Sequence, residues 1–220
     1  MNSDKLYEHF LSGYLTDTNL VLEDELGGHK TYKVHKLVLC SISSTHFLDM
    51  LNTECIEKQL DQIELQIEDV CVATLEALIV YFYQNKVVPE INNIPIWQYR
   101  LELLLCFDYF GLPYNKEILS NVTIPLEGFL FLFQVANELK YPDYLIEFIN
   151  DNLPKKYNLK ILPVGMQSKI IELRSKLPEP EHNVSEPTDP ISSYLRSISD
   201  LRISFYESQN SSKDSDYKTQ

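Results

Sequence analysis

The stretch YKVHKLVLCSISSTHF, Tyr32 to Phe47, brings His35, His46, Cys40 and five hydroxyl side chains into one short span. Two chemistries use such residues. A thiolate on Cys40 paired with His35 or His46 would be a nucleophile, and His29, His35, His46 and Cys40 together offer the ligand types of a zinc site. Neither reading finds its supporting parts: no glycine elbow or oxyanion motif accompanies Cys40, and the four would-be ligands come from a turn, a strand end and two helical faces, which do not converge. The alternative is architectural. Cys40 packs as a small hydrophobe on a helix, and His35 ends a strand by hydrogen bonding to backbone.

The elements around this stretch decide how its side chains are placed. From Ser3 to Leu11 the apolar residues Leu6, Tyr7, Phe10 and Leu11 fall at helical spacing, and Gly13 ends the helix. TNLVLED, ELGGHK and TYKVH read as a β-hairpin around a glycine turn. Lys36–Ser43 and Thr45–Asn52 return to helical spacing as a helix pair, with Leu37, Cys40, Phe47, Met50 and Leu51 predicted to face one way and Ser44 or Thr45 able to cap the second helix. QIELQI alternates strictly and points Ile63, Leu65 and Ile67 inward. Asp69 is the predicted cap of a long apolar helix from Val70 to about Gln84, stopped by Asn85. KVVPEI reads as a short strand that Pro89 confines to a sheet end or edge. Ile94–Tyr109 is a further helix, closed by Gly111 and Pro113.

Beyond it, EILSNV, LEGFLFLFQVANELK, YPDYLIEFINDNL and MQSKIIELRSK carry helical spacing broken by Pro125 and Pro142. The proline-rich, acidic run after Leu177 and the polar end read as linker and tail. Within them, residues 190–206 retain apolar side chains that suit a short helix or a peptide ordered on binding. The expected divisions are 1–113, 114–177 and 178–220, and the expected class is α+β, a small sheet covered by helices and followed by an all-helical extension.

The chain has 220 residues, 44% of them hydrophobic, a formal net charge of -13 and four cysteines. That is enough apolar content for a core. The acidity would repel a phosphate backbone, and no Lys or Arg cluster offsets it locally, so nucleic-acid binding is not expected. Charged residues interrupt every apolar run well before membrane-spanning length. The basic start and apolar stretch of a secretory signal are missing from MNSDKLYEHF, so an intracellular, cytoplasmic protein with reduced thiols is expected.

DTNLVLEDELGGHKTYKVHKLVLCSISSTHFLDML resembles the BTB/POZ domain pattern, carried here by Asp17, His35, Lys36, Leu39, Ser43 or Ser44, and Phe47. The resemblance continues through QIELQI, YFYQNKVV and LLLCFDYFGLP and covers about half the chain. Thr18 stands where the family has an apolar residue, and LLLCF replaces an alanine-rich helix middle. The helices from Ile118 to about Lys176 resemble in position the BACK-like extension of many BTB proteins, and the tyrosine- and asparagine-rich composition resembles the BTB proteins of large DNA viruses, acting in a host cell.

The resemblance implies a protein–protein interaction module without catalytic residues, metal or cofactor. It implies a homodimer interface on Leu6, Tyr7, Phe10 and Leu11, which otherwise would pack within one subunit. It implies a charged pocket formed by Asp17 and Lys36, which otherwise are two solvated charges. Adaptors of the family contact cullin-3 through a hydrophobic-x-Glu element, matched by Cys55, Ile56 and Glu57; the function so implied is a dimeric substrate adaptor of a cullin-3-type RING ubiquitin ligase. The other reading is an oligomerisation scaffold that binds no cullin.

Overall fold

The computed structural model describes residues 3–42, 47, 62–114, 116–153 and 158–175. The chain divides into two compact units, Met1–Thr123 and a second from Ile124 onward.

The first unit opens with helix α1 (Ser3–Ser12), whose buried residue is Phe10. Strands β1 (Thr18–Glu23) and β2 (His29–Val34) form the predicted hairpin, paired antiparallel with Leu20 opposite Tyr32. Strand β3 (Gln62–Gln66) lies parallel to β1 on its other side, with Leu20 opposite Ile63 and Leu22 opposite Leu65, giving the order β2-β1-β3. A strand flanked on both sides carries the deepest core residues: Leu20 and Leu22 are wholly buried, as are Ile63 and, across the hairpin, Val34. Ile63, Leu65 and Ile67 are all buried, as their alternation required.

Helix α2 (Lys36–Ile42) follows β2 directly. Here the predicted facing is wrong. Leu37 is 80% exposed, and the buried residues are Val38 and Leu39. KLVLCSI is apolar nearly all round, so its spacing permits two stripes, and the direction in which β2 delivers the chain selects one. Met50, Leu51 and the caps Ser44 and Thr45 lie outside the described residues.

Helix α3 (Val72–Gln84) is the central helix; it packs on α1, α2 and β1 and on helix α4 (Ile96–Tyr109). Its C-terminus is the predicted one, with Asn85 in the left-handed conformation at φ 53° and its N–H on the Tyr81 carbonyl. Its N-terminus is not. Asp69 has φ 59° and precedes the helix in a turn, while Cys71 occupies the cap position and uses no side-chain cap of its own. The capping groups come from far away in the sequence. Asp24 Oδ2 accepts the Val72 N–H at 3.1 Å, and Glu102 accepts that of Cys71, also at 3.1 Å.

KVVPEI forms no strand. Its carbonyls are taken by α4 instead: the Tyr99 hydroxyl donates to the Val88 carbonyl at 2.9 Å, and Arg100 Nη2 to that of Pro89 at 2.7 Å. Pro89 has no N–H to add to a ladder. EILSNV, predicted helical, makes only a 3-10 turn at Lys116–Ile118.

The second unit contains α5 (Phe129–Glu138), α6 (Asp143–Asn152) and α7 (Val164–Ser175). Its core is Phe129, Leu132, Val135, Ala136, Leu145, Ile149, Met166 and Ile170. Lys169 fastens α7 to the turn before α6, donating to the Tyr141 carbonyl at 2.5 Å and pairing with Asp143 at 3.0 Å.

Asp24 holds the hairpin turn as well as α3. Its Oδ1 accepts the N–H groups of Leu26 at 3.1 Å and Gly28 at 2.7 Å. A Cβ on Gly28 would fall 2.4 Å from Asp24 Oδ2, inside any tolerable contact, so this glycine is dictated by the carboxylate beside it. Gly28→Ala is therefore expected to destabilise the wild type by about 1 kcal/mol or more, as lost helix caps do, and to cost little once Asp24→Ala has removed the obstacle; urea unfolding of both single variants and the double variant checks this non-additivity. The N–H of Val72, more than those of Gly28 and Leu26, holds the Asp24 carboxyl below its usual range. A folded value below the unfolded one adds stability above the unfolded pKa of about 3.9 and loses it as pH falls through the folded value. The gap in stability between wild type and Asp24→Ala should accordingly be full at neutral pH and narrow in acid.

Candidate interaction surfaces

The described side chains of the α1 stripe and of the β2–α2 joint sit where these elements meet α3. Tyr83 of α3 is the common partner. Phe10 stacks on its ring at 4.6 Å, Tyr7 lies 6.5 Å from it, and His35 meets it edge-on at 5.7 Å. The Tyr83 hydroxyl accepts the backbone N–H of His35 at 3.0 Å and lies 2.8 Å from His35 Nδ1, while His35 Nε2 lies 3.0 Å from the Tyr14 carbonyl. A carbonyl can only accept, so Nε2 carries the proton and Nδ1 accepts the Tyr83 O–H. Every hydrogen-bonding position is then used. Burial pushes the Tyr83 hydroxyl up to about 12, which keeps it a donor at neutral pH.

The four residues of the α1 stripe separate. Phe10 is buried on Tyr83 and Tyr32 within its own subunit, Leu6 and Tyr7 are half-buried, and Leu11 is 66% exposed. Leu11 has exposed apolar company in Tyr14 and Leu15, which follow it in the turn, and in Leu37, which the His35–Tyr14 bond brings to the same end of the unit. Leu15 stands at φ 57°, a left-handed conformation that costs a leucine about 1 to 2 kcal/mol.

Asp17 and Lys36 are brought together. Asp17 Oδ1 accepts the backbone N–H of Lys36 at 2.7 Å, fixing the first turn of α2 to the start of β1. Phe47, the other anchor of the helix pair, is wholly buried and stacks on Phe110 at 5.1 Å. Cys55, Ile56 and Glu57 lie outside the described residues.

The three described thiols are the reverse of activated. Burial first, and the charge of Asp17 second, push Cys40 up; burial does the same for Cys71 and for the fully buried Cys106. Among the described residues no group of three or more His, Cys, Asp and Glu side chains could hold a metal ion. No described helix is both long and apolar enough to cross a membrane.

Sequence reasoning passed over Glu102. It is wholly buried on α4, where its Oε2 accepts from the Cys71 N–H, the Cys71 thiol at 3.0 Å and the Thr74 hydroxyl at 2.5 Å, and its Oε1 from Gln98 at 2.8 Å. The available signal was a glutamate inside the apolar run LELLLCF, which needs partners if it is buried.

A small mixed sheet enclosed by helices, with its polar groups committed to holding those helices together, defines an α+β module whose working parts are surfaces. The chain belongs to the BTB/POZ domain family: the family model for the BTB/POZ domain matches residues 6–124, more than half of the chain. It is 32% identical over 170 residues to a BTB/POZ domain-containing protein of Acanthamoeba polyphaga mimivirus, covering 77% of this chain and 62% of that protein. It is 35% identical over 161 residues to a BTB/POZ domain and WD-repeat protein of the same virus, covering 73% of this chain and 31% of that protein. The chain thus spans less than two thirds of the length of these relatives. An overlay on the BTB domain of zebrafish PATZ1 covers 54% of this chain and 81% of that one at 14% identity, with a TM-score of 0.36. The BTB/POZ domain is a protein–protein interaction module, and its family is non-enzymatic.

Two measurements check this account. Glu102→Ala leaves several buried donors unmade at about 1 to 3 kcal/mol each, so it should destabilise by about 3 kcal/mol or more, with Glu102→Gln milder because one oxygen still accepts; urea unfolding gives both values. Cys40 should react with iodoacetamide more slowly in the native chain than in the urea-unfolded chain, read by peptide mass mapping. A native rate above the unfolded one would revive the nucleophile.

Proposed function

We propose that the protein is a dimeric adaptor that links a partner protein to a cullin-3-type RING ubiquitin ligase, working inside the host cell of a virus. The observation that carries this reading is membership of the BTB/POZ family together with the Cys55-Ile56-Glu57 element, which follows Phe47 at the family's spacing. The WD-repeat relative supports the same logic, since there a BTB/POZ domain shares a chain with a different binding module.

For self-association, Leu11, Leu15 and Leu37 are the exposed apolar residues at the α1 end of the first unit. Each would contribute about 1.5 to 3 kcal/mol on full burial, before the costs of association. Asp17 and Lys36 form the charged corner beside them in this reading. Phe10 supports the interface indirectly, by setting α1 on α3. A second reading, an oligomerisation scaffold without a cullin, is favoured by Cys55, which as a small hydrophobe fills less of a partner pocket than Met, Phe or Leu would.

Solution mass measured with and without purified cullin-3 separates the readings. The adaptor predicts a dimer that gains cullin, loses it in Glu57→Lys and weakens in Cys55→Ala, while Leu11→Glu with Leu15→Glu gives a folded monomer. Dimer mass with no cullin bound would leave the scaffold, and a wild-type monomer at micromolar concentration would sink both.

A further inference from the structure

The outer edge of the sheet shares Leu11 with the self-association surface proposed above and uses no part of the cullin element. Among the described residues the strand order is β2-β1-β3, with β2 at the edge. The Asp24 N–H donates to the Gly28 carbonyl at 3.1 Å, and Asp24 stands opposite Gly28 in the register that pairs Glu23 with His29. In an antiparallel ladder bonded and non-bonded pairs alternate. Lys30, Tyr32 and Val34 therefore direct their backbone groups at β1, and Thr31 and Lys33 direct theirs away from the sheet.

Those two residues border a cavity of about 340 Å³, whose other walls include Phe10, Leu11, Gly13 and Tyr32. Its floor is aromatic and aliphatic; Lys33 borders it along the strand, and its side chain alternates with that of Tyr32 to the opposite face. Lys33 is exposed and has no carboxylate partner among the described residues, in a chain whose net charge is -13. Its neighbour across β1 is the uncharged Asn19. Lys30, by contrast, is neutralised by Glu76 at 2.6 Å.

We propose that β2 is the docking edge for an extended segment of a partner protein, in which apolar and acidic residues alternate. Its backbone would pair with the N–H and C=O groups of Thr31 and Lys33, as in strand addition. Successive side chains of an added strand point to opposite faces. On the α1 side, apolar residues enter the cavity against Phe10, Leu11 and Tyr32; on the other face, a carboxylate meets the ammonium of Lys33. Outward-facing backbone groups, an adjoining apolar cavity and a cation with no carboxylate partner among the described residues together favour an acidic extended peptide over a helix or a basic segment.

The probe is a fluorescein-labelled peptide, acetyl-Glu-Val-Glu-Ile-Glu-Val-amide, added to the full chain, with Lys-Val-Lys-Ile-Lys-Val as its counterpart. Anisotropy should show saturable binding of the acidic peptide at or below about 1 mM, and nuclear magnetic resonance should show the amides of Thr31 and Lys33 shifting. Thr31→Pro removes one outward N–H and leaves the β1 ladder intact, since proline is tolerated where an edge N–H faces solvent. It should weaken binding at least tenfold with an unchanged melting temperature. Should that variant unfold, N-methylation of alternate peptide amides applies the same test from the ligand side, one of the two methylation registers abolishing binding. Lys33→Glu should reverse the preference between the two peptides. No saturation at 1 mM, equal binding by a folded Thr31→Pro variant, or indifference to methylation in both registers would overturn the proposal; an unchanged preference in Lys33→Glu would overturn its acidic specificity.

Discussion

The first unit depends on how the N-terminus of α3 is held. A helix start exposes unpaired N–H groups and a partial positive charge, and here that start is packed among β1, the hairpin turn and α4, where water cannot serve it fully. Two carboxylates take its place, Asp24 from the end of β1 and Glu102 from α4. Each is also committed elsewhere: Asp24 closes the Gly28 turn, and Glu102 gathers Thr74, Gln98 and the Cys71 thiol. The arrangement ties three stretches of chain that are far apart in sequence to one point. Burying an unpaired carboxylate would be prohibitive, and burying unpaired amides would cost about 1 to 3 kcal/mol apiece, so each set of groups stabilises the other.

The other end of α3 is fixed differently. Tyr83 gives its ring to Phe10 and its hydroxyl to His35, so one side chain joins α1, the strand exit and the central helix. This locates α1 without spending all of its apolar surface. Phe10 turns inward, and Leu11, one residue on, is left outside beside Tyr14 and Leu15. The stripe is thus divided: Phe10 packs into the core of its unit, and Leu11 stays exposed.

The elements were largely legible in the sequence, and the groups that join them were not. Alternation gave β3 because Ile63, Leu65 and Ile67 have only one face to choose, and Asn85 marked the end of α3 because a left-handed residue there is an intrinsic property of the chain. Local capping logic failed at Asp69, since the amides it was expected to serve are served by residues 24 and 102, and no local pattern reports a partner so distant. It failed for KVVPEI in the same way. A strand needs a ladder, but Tyr99 and Arg100 had already taken the carbonyls of Val88 and Pro89. Leu37 shows a third limit: where a short helix is apolar on all sides, its inward face is set by the geometry of the preceding strand. The family, in contrast, was readable because its signature residues Asp17, His35, Lys36 and Phe47 are those whose spacing survives as contacts.

Those contacts also show how His35 and Cys40, the described His and Cys of the Tyr32 to Phe47 cluster, are used in the fold. A reactive site keeps polar groups available: a thiol brought down towards thiolate, an imidazole nitrogen free to take a proton. At the β2–α2 joint both ring nitrogens of His35 are occupied, and burial together with the charge of Asp17 disfavours the Cys40 thiolate. His35 is instead used to fix the corner where β2, α3 and the turn after α1 meet. A rigid corner is what a binding module requires, since association must overcome the ordering of whatever it buries, and surface already ordered by its own core has less left to lose. Leu15 follows the Tyr14 carbonyl that His35 holds, and its left-handed conformation must be supported by its neighbours. At this joint the polar groups of His35 and Tyr83 are satisfied within the fold, while Leu15 and Leu37 remain exposed.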